Sequence, residues 1–155
     1  MTTPTQSFPS VLYEQDYSLW LELTANKLKQ GEFSLVDIDN LIEEIESMGR
    51  SEKQALESLL IILLVHLLKL AYWEVERKRN ENHWITEIAT FRVQIRNRIR
   101  SSPSLKPYVQ KIFEDCYDDA REIVTRKKML DPSLIPTTPF LTLEQTLDKD
   151  WFPQE

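Results

Sequence analysis

Residues 59–73, LLIILLVHLLKLAYW, constrain the fold of this chain more than any other stretch. Thirteen of the fifteen are apolar, and the two exceptions, His66 and Lys69, stand three apart, which on a helix puts them on one face. A run this apolar must be covered on nearly all sides, so it reads as the central helix of a small bundle. It is shorter than the roughly 20 residues that span a bilayer as a helix, and it carries two polar groups. Composition agrees with helices. The 155 residues include two glycines, where average usage of about 7% would give about eleven, so hairpin turns are scarce.

The flanking segments carry helical periodicity of their own. Residues 1–9, with Pro4 and Pro9, read as a flexible tail. Ser10 is placed to cap a first helix running to about Gln30 and stopping at Gly31, glycine being the preferred residue just past a helix end. Ser34 with Asp37, and Ser51 with Gln54, have capping-box spacing. They predict a second helix with the stripe Leu35, Ile38, Leu41, Ile42, Ile45 and Met48, and a central helix over 52–79. A single helix kinked at Gly49 is the alternative. The polar run 77–83, RKRNENH, is expected to turn the chain. Helices over about 84–100 and 104–130 follow, the last with acids (Glu114, Asp115, Asp118, Asp119) before bases (Arg126, Lys127, Lys128), the order the helix dipole favours. Pro132, Pro136 and Pro139 break the remainder, Thr142 and Gln145 predict one short helix, and Trp151 and Phe152 are expected to pack back on the bundle. The fold class is therefore all-α: a single-domain bundle of about five helices over 10–130, with an irregular C-terminal wrap over 131–155.

Three global features bound function. A formal charge of −6 disfavours whole-protein attraction to nucleic acid or anionic membrane. Cys116 is the single cysteine, so no intrachain disulfide forms and nothing demands an oxidising compartment. The first ten residues lack the basic and apolar regions of a secretory signal. A cytoplasmic location without membrane association is the expectation.

Turning each helix by about 100° per residue leaves six polar side chains on or beside apolar faces: Asp16, Glu44, His66, Lys69, Arg92 and Asp119. Buried charges must be paired, and the set is nearly balanced, so some of them are expected to meet in one network. Such a network is either structural, fixing helix register, or an acid–base pocket. Glu43, Glu44, Asp115 and Asp119 are the candidate ligands for Mg²⁺ or Mn²⁺ held between helices; otherwise no cofactor is expected. All-helical nucleotide pyrophosphohydrolases use Glu-Glu-x-x-Glu, and position 47 here is Ser. Residues 77–100 hold seven bases against two acids, a candidate phosphate or RNA contact. Arg77 and His83 match a loose Arg-x5-His spacing found in a class of small helical ribonucleases. Cys116 lies on an apolar stripe and reads as core.

The order of motifs resembles the bacterial "domain of unknown function 29" family. The resemblance rests on YEQDYSLWLELTANKLKQGEF at 13–33, VDIDNLIEEIESMGRSEKQALES at 36–58, LLVHLLKLAYW at 63–73, SPSLKPYV at 102–109, YDDAREI at 117–123 and DWFP at 150–153. It implies a helical protein with no activity to carry over. The family pattern includes positions matching Asp16, Glu43, Glu44, His66 and Lys69, and has Ser-Trp where this chain has His83-Trp84, which weakens the case for His83. The leading expectation is a small cytoplasmic bacterial interaction or regulatory protein with a structural polar network, binding a protein partner or itself through a helical face. The alternatives are a metal-assisted hydrolase of nucleotides or nucleic acid, and a metal-independent acid–base or phosphate site at Asp16, His66 and Lys69.

Overall fold

A computed structural model describes residues 7–126 and 129–153. Among these the chain is all-α: α1 Ser7–Gln15, α2 Tyr17–Lys29, α3 Ile38–Tyr72, α4 Glu74–Ser101, α5 Leu105–Thr125 and α6 Leu143–Leu147, with 3-10 turns at Phe33–Leu35 and Pro132–Leu134 and no strand. It divides into two compact units, Met1–Ser51 and Glu52–Glu155. Residues 1–6 of the expected tail, Lys127, Lys128 and residues 154–155 lie outside the described residues.

In the first unit, the helix expected over 10–30 is interrupted at Asp16. That residue leaves helical geometry (φ −148°), and its side chain accepts the Leu19 N–H at 3.0 Å. Asp16 is thus an N-cap, which accounts for an acid set among apolar neighbours. Gly31 ends α2 as expected. At φ +75° it sits in the left-handed region, its N–H donates to Leu28 and the next N–H to Lys27, which is the Schellman closure. Trp20, Thr24 and Val36 are the buried residues of this unit among those described.

Helix α3 runs unbroken through Gly49 and through Ser51 and Gln54, which cap nothing. The reversal comes at Trp73 (φ −92°, ψ 69°), and RKRNENH lies inside α4, a correction to the turn expected there. Glu74 and Glu76 occupy the first turn of α4 and suit its dipole. Arg77 Nη2 donates to the Ala71 carbonyl in the last turn of α3, at 2.9 Å. Trp73 and Trp84 stack across the corner, with ring centroids 5.9 Å apart. Polar residues without Gly or Pro continue a helix readily when one face is solvated.

The second unit holds the core. Leu56, Leu60, Leu63, Leu64, Leu67 and Leu68 of α3 are fully buried with Ile88, Ile95, Val109, Tyr117, Ala120 and Val124. Phe140, Leu141, Leu143, Leu147, Trp151 and Phe152 join this cluster. Thr142 and Gln145 form the capping box of α6. Among the described residues α3 is the one helix long and apolar enough to cross a membrane, a test that core helices also pass, and 44% of its most apolar window is buried inside the protein.

Candidate functional site

The six polar residues singled out by helical periodicity take separate roles, and no hydrogen bond or ion pair among the described residues joins any two of them. Asp16 and Glu44 belong to the first unit; His66, Lys69, Arg92 and Asp119 to the second. Asp16 caps α2. Glu44 accepts the hydroxyls of Tyr13, at 2.8 Å, and Tyr17. These bonds to the carboxylate, with partial burial and its charge, push the Tyr13 phenol up to about 12 and raise that of Tyr17. His66 is half-buried beside Phe91, ring centroids 5.4 Å apart, with Nδ1 2.8 Å from the Ile62 carbonyl. Burial lowers its pKa, the Ile62 carbonyl opposes this, and the Lys69 charge adds to it. Lys69 is half-buried and Asp119 is exposed.

Arg92 is the one buried charge of the six, 2% exposed. Its partners are carbonyls, not acids: Nε donates to Thr146 at 2.8 Å and Nη2 to Gln145 at 3.3 Å, with the guanidinium 5.0 Å from the Phe152 ring centroid. Burial draws its pKa down to about 10, against the opposing charge of Asp148. The arrangement fastens α6 and the terminal segment, since a cation suits the carbonyl end of a helix.

The chemical alternatives find little geometry. Glu43 pairs with Arg50 at 2.8 Å, Asp115 and Asp119 are exposed on α5, and among the described residues no three His, Cys, Asp or Glu converge as a metal would require. Of the seven bases in 77–100, Arg77 bonds the end of α3, Arg92 holds α6 and Arg98 pairs with Glu52 at 3.0 Å. Arg77 and His83 are six residues apart on α4, well off a common face at about 100° per residue. Cys116 is buried, and burial pushes its thiol up to about 12, far from a nucleophile's range. An open cleft of about 480 Å³ lies by the α3–α4 corner among Trp73, Val75, Met129 and Leu134. Its Asp131 is engaged by the backbone and hydroxyl of Ser133.

What stands out is an apolar face without cover. Ile38, Ile42, Ile45 and Met48 follow one another at helical spacing on α3 and are 47%, 49%, 60% and 63% exposed. Periodicity alone assigns this stripe to the core, so its exposure is a correction. The cause is where the first unit's own contacts fall. Asp37 and Glu44, seven residues and so nearly two turns apart, share a face. Trp20 Nε1 donates to Asp37 at 3.2 Å, and Tyr13 and Tyr17 donate to Glu44. Leu41, on that side, is half-buried, whereas the isoleucines occupy the adjoining face. The same stripe continues along α3 to Leu56, Leu60 and Leu63, all fully buried in the second unit. Phe33 and Leu35, just before α3, are 63% and 56% exposed. The acids Asp39, Glu43 and Glu46 border the stripe, and Arg50 bridges Glu43 and, at 3.9 Å, Glu46.

Compared with known proteins, the chain matches one family model, described as "Domain of unknown function DUF29", over residues 12–152. No curated protein and no solved structure matches.

Proposed function

The chain belongs to DUF29, a family whose description assigns no activity, and from its surfaces we propose that it is an interaction module, with the bare stripe of α3 as its docking surface. The observation that carries this reading is the exposure of Ile38, Ile42, Ile45 and Met48 in a unit that buries three of its described residues. Contiguous exposed apolar side chains rimmed by charge mark interaction sites. A unit of about fifty residues with so small a core commonly needs association for stability. The acidic composition and single buried thiol suit the bacterial cytoplasm.

Two measurements test the reading. The double substitution Ile42→Glu/Ile45→Glu is expected to change the stability of the isolated chain by less than about 1 kcal/mol, as at exposed positions. A photo-crosslinking residue at position 45, expressed in the host cell, is expected to give a discrete protein adduct, while one at the exposed position 110 on α5 gives none. A loss above about 2 kcal/mol would mean that the stripe is core within the chain, and no adduct at 45 would mean that nothing docks there.

A further inference from the structure

We infer that the occupant of the α3 stripe is a basic amphipathic helix of another protein. The inference rests on the docking reading above and specifies its partner. Ile38, Ile42 and Ile45 are spaced four and three apart, the repeat by which one helix seats its apolar residues against another. From Ile38 to Met48 the seam is about 15 Å long at 1.5 Å per residue, matched by a partner helix of about three turns.

Charge selects among the partners that such a seam could take. Residues 32–50 carry six acids, Glu32, Asp37, Asp39, Glu43, Glu44 and Glu46, against one base, Arg50. Asp39 and Glu46 lie on one flank, each one residue past a seam position. Paired antiparallel with a second copy, that flank would set Asp39 against the copy's Glu46, and like charges in juxtaposition count against the pairing. Nor does the chain's own basic helix supply a complementary face: the exposed side of α4 presents Thr86, Thr90, Val93 and Asn97, which lacks a large apolar stripe. A partner with Leu, Ile or Met on one face and Lys or Arg along the border that meets Asp39, Glu43 and Glu46 satisfies the seam and its acids together. An anionic membrane surface is disfavoured by the same acids.

The test uses the full chain and two synthetic helical peptides of about 18 residues, identical in their Leu positions at i, i+3, i+4 and i+7, one bordered by Lys and the other by Glu. In fluorescence anisotropy the Lys peptide is expected to bind at least about tenfold more tightly, with the preference shrinking as salt is raised. Ile42→Glu/Ile45→Glu is expected to abolish binding. Glu43→Lys/Glu46→Lys is expected to reverse the preference, and the milder Glu43→Gln/Glu46→Gln to weaken it. Several outcomes would overturn the inference: equal binding of both peptides, binding of neither, or binding of the Lys peptide that survives the isoleucine substitutions. So would a chain that light scattering shows to be a dimer dispersed by Ile42→Glu, or one that floats with anionic vesicles through this face. The dimer result would leave the docking reading standing with a second copy as occupant, whereas a stripe shown to be core would remove both.

Discussion

At the scale of single residues, Arg92 shows how far a buried charge can be from a catalytic one. Its place at the edge of the apolar face of α4 marks it, in the sequence, as a group that must be compensated if it is buried. Compensation comes from the Thr146 and Gln145 carbonyls and the Phe152 ring, more than fifty residues along the chain. Arg92→Ala is therefore expected to cost about 2–4 kcal/mol, through the cavity left and the carbonyls stripped of donors. The substitution is also expected to render the segment after α6 sensitive to protease. A loss below about 1 kcal/mol in denaturant melts would show that α6 is held by its apolar contacts alone. Periodicity marks Arg92 as a candidate for burial on the same footing as the other five polar residues. It does not mark the partners of Arg92, because backbone carbonyls leave no signature in a sequence. Asp16 and Glu44 mislead for a related reason: an acid beside apolar residues is equally a helix cap or an acceptor for tyrosine hydroxyls, and spacing along one helix does not separate these from a shared network.

At the scale of elements, the helices are legible and two of their limits are not. Gly31 and the Thr142–Gln145 box mark real ends because each has its own backbone chemistry. The breaks at Asp16 and Trp73 carry no Gly or Pro, and the corner at Trp73 is set by tertiary packing of Trp73 on Trp84. Conversely, Gly49 and the Ser51–Gln54 pair have the right residues for a boundary, yet α3 passes through them. Glu46, Met48, Arg50, Glu52, Lys53, Gln54 and Ala55 on either side are good helix formers, and one glycine inside a helix costs only about 1 kcal/mol, so the local signals do not suffice to stop it. A Cβ at Gly49 would meet nothing within 4 Å. Gly49→Ala is thus expected to raise stability by about 0.4–1 kcal/mol, by restricting the unfolded chain and improving helix propensity. A destabilising effect in the same melts would mean that the helix bends at this point in a way that needs glycine.

At the scale of the whole molecule, the apolar phase of α3 tells which residues want cover, and only the tertiary contacts tell which receive it. Hydropathy reads Ile42 and Leu60 alike; one is 49% exposed and the other fully buried. The candidate surface was therefore visible in the sequence as a stripe but not as a surface. This inequality has a dynamic consequence. Opening free energies follow local burial, from near zero up to the global stability. Amides of residues 38–48 are expected to exchange with solvent much faster than those of residues 56–70, although both belong to one helix. Equal protection of the two segments by hydrogen-exchange mass spectrometry would mean that the first unit draws stability from a source other than its own small core. If a helix docks on the stripe, its binding energy appears as protection of residues 38–48. A ligand at a hundred times its Kd contributes about 2.7 kcal/mol to the state that binds it, and this gain should be concentrated in the first unit. On that account the first unit is stabilised by the partner it recognises, so docking and local order rise together as the Lys-bordered peptide is titrated. Protection that rises equally over residues 56–70 would instead place the peptide on the second unit.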